Sequence, residues 1–490
     1  MIFLHLCKSE NFVNMALIKS ISGIRGTIGG KPGESLSPVD IVKFAASFGT
    51  WVQLRHKKGG LKVIVGRDAR KSGPMVNNLV ITTLRSLGIN VIDLGMATTP
   101  TVEIAVTGTH ADGGIIITAS HNPAEWNALK LINEKGEFLS ARDGMEVLEI
   151  AAREDFNFIS NDLVGSLEHD DTWGKKHIDL ILALNLVDIK AIKTAGLTVA
   201  IDCVNSVGGI ILPQLLRSLG VDKVIELNTI PDGNFAHNPE PLPENLKGIS
   251  EFVVNGKADI GFVVDPDVDR LAIVCEDGTM FGEEYTLVSV SDYVLKNTPG
   301  NTVSNLSSTK ALRDITSGYG CKHYSASVGE VNVVEEMKKR DAVIGGEGNG
   351  GVIYPELHWG RDALVGIALF LSHLAKSNIK CSALRKLYPE YVIAKKKLAL
   401  DPAIEFSHII EAVKDHFKGH LTDERDGLWI EHMNGWVQIR KSNTEPIMRI
   451  YAEGRTSQAA DDLANTVIGI VKKTLCRFAA SPTLGILFHD

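Results

Sequence analysis

The chain is 490 residues long, 44% hydrophobic, 22% charged and 6% aromatic. That length holds about three or four domains, each able to bury its own core, and the composition excludes a disordered or fibrous chain. The formal net charge of −8 argues against a bulk electrostatic hold on nucleic acid or an acidic membrane and leaves room only for a local basic pocket.

The first fourteen residues lack both a basic start and an apolar stretch long enough for a signal peptide, and are read as an extension. From residue 15 onward, strand-like runs alternate with helix-like stretches. Residues 61–66 (LKVIVG) predict a buried strand, 74–87 a helix, 90–95 (NVIDLG) a strand and 114–118 (GIIIT) another, ending at a polar cluster. The pattern restarts with a strand at 197–202, a helix at 209–219 and a strand at 223–227, then again at 260–264 (IGFVV). Three restarts predict three similar α/β units. Between them, 231–243 carries Pro231, Pro239, Pro241 and Pro243 and reads as a loop. The apolar run 364–375 is too short to cross a bilayer. Short strands at 428–431, 436–440 and 448–452, followed by a helix over 459–475, predict a small α+β domain. The boundaries drawn from this are an extension 1–14, domains 15–156, 157–257, 258–377 and 378–476, and a tail 477–490. The six cysteines are scattered with no C-x-x-C pair, which predicts reduced thiols in a cytoplasmic protein.

Four clusters carry candidate chemistry. Thr118-Ala119-Ser120-His121-Asn122-Pro123 follows an apolar strand, at a carboxyl end where parallel sheets place ligands. Ser120 beside His121 is a candidate nucleophile; the bland reading is a polar turn stopped by Pro123. A hydrolase elbow is excluded, because Thr118 and Asn122 stand where G-x-S-x-G needs glycines. Next, Asp265, Asp267 and Asp269 alternate after another apolar run. In extended chain they share one side. Each pair at about 4 Å repels by roughly 4 kcal/mol at an effective dielectric of about 20, so a cation is expected, and all-oxygen ligation points to Mg2+. An EF-hand is excluded, because Arg270 takes the position that needs Gly and 271–275 reads as a strand.

The third cluster, 345–351, contains G-x-G-x-x-G, yet a strand and Pro355 follow it rather than a helix, so it is no dinucleotide fingerprint. A flexible loop offering Glu347 and Asn349 to a polyhydroxyl ligand fits better than a plain glycine hairpin. The fourth runs from Arg440 through Ser442, Asn443 and Thr444 to Pro446, with Arg449 nearby. Its cations and hydroxyls make an anion cradle or, blandly, a solvated polar turn. Arg25, between Gly23 and Gly26, could reach a phosphate but carries little alone. Gly29-Gly30-Lys31 is not a P-loop, because Arg25 and Pro32 occupy the positions that need Gly and Ser/Thr.

Taken together and in this order, T-A-S-H-N-P, D-P-D-x-D-R, G-E-x-x-G and R-x-S-x-T-E-P resemble the α-D-phosphohexomutase family over about residues 15–475. The resemblance implies three similar α/β domains with mixed sheets plus a C-terminal α+β domain of TATA-binding-protein-like fold, around a central cleft. It implies that Ser120 carries a phosphoryl group and, with Asp265, Asp267 and Asp269, binds Mg2+. Arg270 then lies beside the phosphate, Lys130 moves a proton, and Arg25 and His121 line the site. Glu347 and Asn349 read the sugar, while Arg440, Ser442, Asn443 and Thr444 grip the distal phosphate. The implied activity interconverts hexose 6-phosphate and hexose 1-phosphate through a hexose 1,6-bisphosphate. The implied protein is a monomer or homodimer that takes hexose phosphates and no nucleic acid or membrane partner.

Departures from the family pattern bear on the hexose. Where many members read G-E-x-S-G-H, Asn349 and Gly351 replace Ser and His, and Asn127-Ala128 replaces a common N-G. Val328-Gly329-Glu330 and the Arg440-Lys441-Ser442 start resemble phosphoglucosamine mutases, whereas Asn443 resembles phosphomannomutases. Glucosamine phosphate is therefore expected ahead of mannose or glucose phosphate. A metal-dependent sugar phosphatase would not need a second phosphate grip. A non-catalytic binder would not need Ser120 together with all three aspartates.

Overall fold

The apolar runs of the sequence become strands, many buried on both faces, and assemble into four sheets. The computed structural model describes residues 16–20, 23–57, 59–400, 405–433, 435–441 and 447–479, the last four for backbone only. The expected extension 1–14 lies outside them, as does the tail beyond 479.

The first sheet contains β1 (Leu17–Ser20), β2 (Gly23–Thr27), β3 (Lys62–Arg67), β4 (Asn90–Met96), β5 (Gly113–Ile117), β6 (Trp126–Ile132) and β7 (Leu167–His169). Their order is β1-β2-β6-β5-β3-β4-β7. The second holds β8 (Thr198–Asp202), β9 (Lys223–Leu227), β10 (Ile260–Val264) and β11 (Leu271–Cys275) in the order β11-β10-β8-β9. The third holds β12 (Asn301–Asn305), β13 (His323–Ala326), β14 (Ala342–Glu347) and β15 (Gly351–Ile353) in the order β13-β12-β14-β15. All three mix parallel strands with antiparallel ones. The fourth is antiparallel throughout: β16 (Val392–Ala399), β17 (Thr422–Asp423), β18 (Leu428–His432), β19 (Gly435–Lys441) and β20 (Ile447–Gly454), in the order β16-β20-β19-β18-β17.

Local chemistry explains the elements. The strands β5, β10 and β11 are buried at every residue, as expected for strands covered on both faces. Helix Pro38–Arg55 opens with a capping box between Ser37 and Asp40 and has proline in its first turn, which satisfies otherwise orphaned N–H groups. In the fourth sheet, alternate residues of β20 are buried against the helices Phe406–His416 and Ser457–Ala479.

One device recurs in every sheet: a strand turns back into an antiparallel neighbour, and the connection carries one of the four clusters. The pairs are β5–β6, β10–β11, β14–β15 and β19–β20.

Three boundaries differ from the sequence reading. The segment after 156 returns to the first sheet, because β7 pairs in parallel with β4. The strand expected to open a third domain at 258 is β10, which hydrogen-bonds to β8, so the aspartate cluster belongs to the second sheet. Cys381, Leu384, Tyr388 and Tyr391 bury in the core shared by the second and third sheets, so the last unit begins near β16 rather than at 378. Cys203, Cys275 and Cys381 are buried and Cys321 is partly so, and all four are free thiols. Among the described residues no helix is long and apolar enough to cross a membrane.

Candidate active site

β10 delivers Asp265, Asp267 and Asp269 into the interior, each 0% exposed. Their ligand oxygens lie within 4.8 Å of one another. They converge through a tight turn rather than the extended chain expected. Asp265 Oδ1 accepts the backbone N–H groups of Asp269 (3.1 Å) and Arg270 (3.2 Å), and Val268 adopts φ 64. A β-branched residue in that region is strained. It is held there by its own burial and by the bond from Ala363 N to its carbonyl at 3.2 Å.

In each carboxylate Oδ2 is oriented by a side chain. Asp265 Oδ2 accepts from Ser120 Oγ at 2.7 Å. Asp267 Oδ2 accepts from Lys130 Nζ at 2.7 Å and Thr99 Oγ1 at 2.6 Å. Asp269 Oδ2 accepts from Arg361 Nη2 at 2.7 Å, with Lys130 Nζ at 3.6 Å. Asp267 Oδ1 and Asp269 Oδ1 are buried with no hydrogen-bond partner. Two orphaned carboxylate oxygens beside a serine hydroxyl suit a hard cation that takes oxygen ligands. Burial and the charges of Asp269 and Asp267 push Asp265 well above the usual carboxylate range. Burial also disfavours the Asp269 carboxylate, yet Arg361, Lys130 and Arg270 hold its carboxyl below that range. Lys130 resists the same burial because Asp267 and Asp269 raise its pKa.

Ser120 follows β5, is 6% exposed and adopts φ 48. His121 Nδ1 lies 3.2 Å from its Oγ. Burial, then the charge of Arg270, pushes His121 well below its ordinary value, which favours the neutral ring. Two residues that the sequence reading missed hold this loop. Arg70, 1% exposed, donates to the carbonyls of Ser120 (2.6 Å), Asn122 (2.6 Å), Pro123 (2.5 Å) and Trp126 (3.0 Å). Its Nε donates to Asp68 Oδ2 at 3.0 Å. Asp68 also accepts from Thr118 Oγ1 at 2.6 Å, and that hydroxyl accepts from Ser120 N at 3.0 Å.

The third cluster is a closely packed hairpin, not the flexible loop expected. Gly350 has φ +85, and a Cβ there would stand 2.4 Å from the Leu271 carbonyl oxygen. Glu347 ends β14, its Oε1 accepting from Asn305 Nδ2 (2.7 Å) and Gly329 N (3.1 Å) and its Oε2 from Arg361 Nη1 (2.9 Å). Asn349 sits in the turn, where its Oδ1 accepts from Gly351 N at 3.3 Å.

A cationic end completes the arrangement. Burial, then the charges of Arg270 and Arg449, lowers the pKa of Arg25. Arg449 stands directly across from Arg440 in the β19–β20 register, and Arg440 Nε is buried with no hydrogen-bond partner. Like charges opposed across strands repel; Asp426 Oδ2, 3.9 Å from Arg440 Nη1, offsets part of that, and an anion between the two would offset more. Ser442, Asn443 and Thr444 lie outside the described residues.

The sheets and the site define a class first: a four-part α/β phosphoryl-transfer enzyme, with a serine set against an acidic triad and arginines from several units nearby. Comparison with known proteins agrees. The models for phosphoglucomutase/phosphomannomutase α/β/α domains I, II and III match residues 17–158, 175–278 and 282–391, and that for the C-terminal domain matches 397–470. A phosphoglucomutase/phosphomannomutase of Thermococcus kodakarensis is 37% identical over 456 residues, 92% of this chain and 98% of that protein. A phosphoglucosamine/phosphogalactosamine mutase of Sulfurisphaera tokodaii is 31% identical over 465 residues, covering 94% and 100%. The crystal structure of a phosphoglucomutase/phosphomannomutase family protein from Burkholderia thailandensis matches with a TM-score of 0.80 at 27% identity, covering 92% of this chain and 96% of that one. The chain belongs to the phosphoglucomutase/phosphomannomutase family of α-D-phosphohexomutases. It is a phosphohexomutase, an isomerase that works by intramolecular phosphotransfer.

Proposed function

We propose that the enzyme interconverts glucosamine 6-phosphate and glucosamine 1-phosphate, with Ser120 as the phosphoryl carrier and a hexose 1,6-bisphosphate as the intermediate. The observation that carries this is the 2.7 Å contact between Ser120 Oγ and Asp265 Oδ2, beside the orphaned oxygens of Asp267 and Asp269. Those three aspartates, with an oxygen of phosphorylated Ser120, would hold Mg2+. When bound, Mg2+ supplies charge neutralisation for a phosphoryl group in transfer.

The chain's own residues do the rest. Phospho-Ser120 gives its group to the 6-hydroxyl of the hexose 1-phosphate, and the bisphosphate turns over and returns its 1-phosphoryl group to Ser120. The proton of the attacking hydroxyl is relayed through Lys130, held on Asp267, whose ammonium gives one proton to the departing Ser120 oxygen as it takes one from the hydroxyl. Arg270, His121 and Arg25 line the path of the phosphoryl group. Glu347 and Asn349 read sugar hydroxyls. Arg440 with Ser442, Asn443 and Thr444 grips whichever phosphate is not reacting, so both orientations of the bisphosphate fit. Preference for glucosamine draws on Val328-Gly329-Glu330 and on the name of the Sulfurisphaera tokodaii relative.

The test primes the enzyme with a hexose 1,6-bisphosphate and follows glucosamine, mannose and glucose 1-phosphates side by side. Isomerisation with the highest kcat/KM on glucosamine 1-phosphate is expected. Intact-mass analysis should find a phosphate on Ser120 that Ser120→Ala lacks. Release of free phosphate without isomerisation overturns the reading.

A further inference from the structure

We propose that Arg361 is a positioning residue that couples the cation site to the sugar site, because one guanidinium binds Asp269 of the aspartate loop and Glu347 of the sugar hairpin at once. Nη2 donates to Asp269 Oδ2 at 2.7 Å and Nη1 to Glu347 Oε2 at 2.9 Å. The remaining edge is anchored. Nε donates to Glu330 Oε2 at 2.9 Å, while the Arg361 backbone N donates to Glu330 Oε1 at 3.0 Å. All of this is buried: Arg361 and Glu330 are each 8% exposed.

The guanidinium is planar and rigid, so two carboxylates on its two amino groups are fixed relative to each other. The backbone cannot swing either. Arg361 bridges to Ile353 at the end of β15, and the adjoining Asp362 caps helix Ala363–Ser377 through the N–H groups of Leu364 and Val365. Glu347 is held from its other side by Asn305 and Gly329. Asp269 has one oxygen committed to Arg361, while the other accepts no hydrogen bond and has only Arg270 Nε at 4.0 Å. A cation drawing on that second oxygen therefore pulls on a fork whose other prong is Glu347. Such coupling is reciprocal: a hexose on Glu347 tightens the cation, and the cation tightens the hexose. The identity of the two ligands rests on the mutase reading.

The test uses Ser120→Ala protein, in which turnover stops. The dissociation constant of Mn2+ is measured by calorimetry alone, with saturating glucosamine 6-phosphate, and with inorganic phosphate as the control for an anion touching the cation directly. The hexose phosphate is expected to tighten Mn2+ about fivefold more than inorganic phosphate does. Adding Arg361→Lys, which keeps the charge and loses the fork, should erase that excess while Mn2+ still binds. Adding Glu330→Gln instead, which removes the anchor and leaves Asp269 and Glu347 in place, should at least halve it; this variant carries the test if the lysine variant does not fold. No excess in the parent, or an undiminished one in the variants, overturns the proposal. Failure of the parent to bind any hexose phosphate overturns the mutase reading instead.

Discussion

Ser120 adopts a left-handed backbone conformation that costs a non-glycine residue about 1 kcal/mol or more, and Arg70 holds it there. All five N–H bonds of that guanidinium are used, four on carbonyls of the serine loop and one on Asp68, with the Phe235 ring over it at 4.9 Å. Lysine offers three donors from a flexible stem, so Arg70→Lys strands buried carbonyl oxygens. We expect it to destabilise the protein by about 3 kcal/mol. It should lower kcat by a factor of about 10 to 100, because the carrier hydroxyl is misplaced, with hexose KM within about threefold of wild type. Steady-state kinetics beside thermal unfolding checks this; a raised KM with kcat retained would put Arg70 in sugar binding instead. Ser120 and the aspartates are legible in the sequence because each cluster is local and ends an apolar run. Asp68 and Arg70 also end one, but the loop they clasp lies some fifty residues on, and nothing local says which loop that is. Arg361 is harder still, since Asp269 is 92 residues away.

At the level of elements, the return hairpins carry the four candidate clusters, and their packing decides how well they hold them. The Glu347 hairpin docks on the aspartate loop: Leu271 N, one residue past Arg270, donates to the Gly350 carbonyl at 3.0 Å. Gly350→Ala adds a Cβ that meets backbone rather than a movable side chain, at a positive φ. It should destabilise the protein by about 2 kcal/mol and raise the hexose phosphate KM several-fold as Glu347 shifts. Gly248→Ala is the control, because that glycine lies in helix Lys247–Gly256 with open space around its Cβ position; alanine there should be neutral or stabilise by up to about 1 kcal/mol. Matching KM changes in the two variants would disconnect the hairpin from sugar binding. The strands themselves are readable from apolar runs, since burial on both faces leaves few polar residues. Their partners are not. β10 looks like the start of a new unit because nothing in IGFVV reveals that β8, some sixty residues earlier, pairs with it. The glycine run reads as flexible because composition does not show the Leu271 backbone pressed against it.

No single unit holds the site, so the whole molecule must keep its parts in register, and one buried polar chain does this across three of them. Thr101 Oγ1 lies 3.0 Å from His177 Nδ1, His177 Nε2 lies 2.9 Å from Asp362 Oδ2, His358 Nε2 lies 3.4 Å from the same oxygen, and His358 Nδ1 lies 3.3 Å from Glu103 Oε2. Glu103 and Thr101 come from the first unit, His177 from the helix Trp173–Leu182 leading into the second, and His358 with Asp362 from the third. Burial pushes Glu103 up to about 8, with Glu330 adding to it and His358 and Lys130 opposing. Burial opposes the charge on His358, but Asp362 and Glu103 outweigh it and hold the ring up to about 10. Both values stand above the ordinary 4.5 and 6.5 of the unfolded chain, so the native protein binds extra protons. The stability these groups contribute is complete below their unfolded values and drains as pH rises through about 8 and then about 10. Above that, Glu103 and Asp362 remain as buried carboxylates with the His358 charge gone, and the three units loosen together. Between about pH 7 and pH 10 the wild-type Tm should therefore fall several degrees further than that of the Glu103→Gln, His358→Gln double variant. Calorimetry at constant ionic strength measures both slopes, and coincident slopes would mean that the protons are held elsewhere.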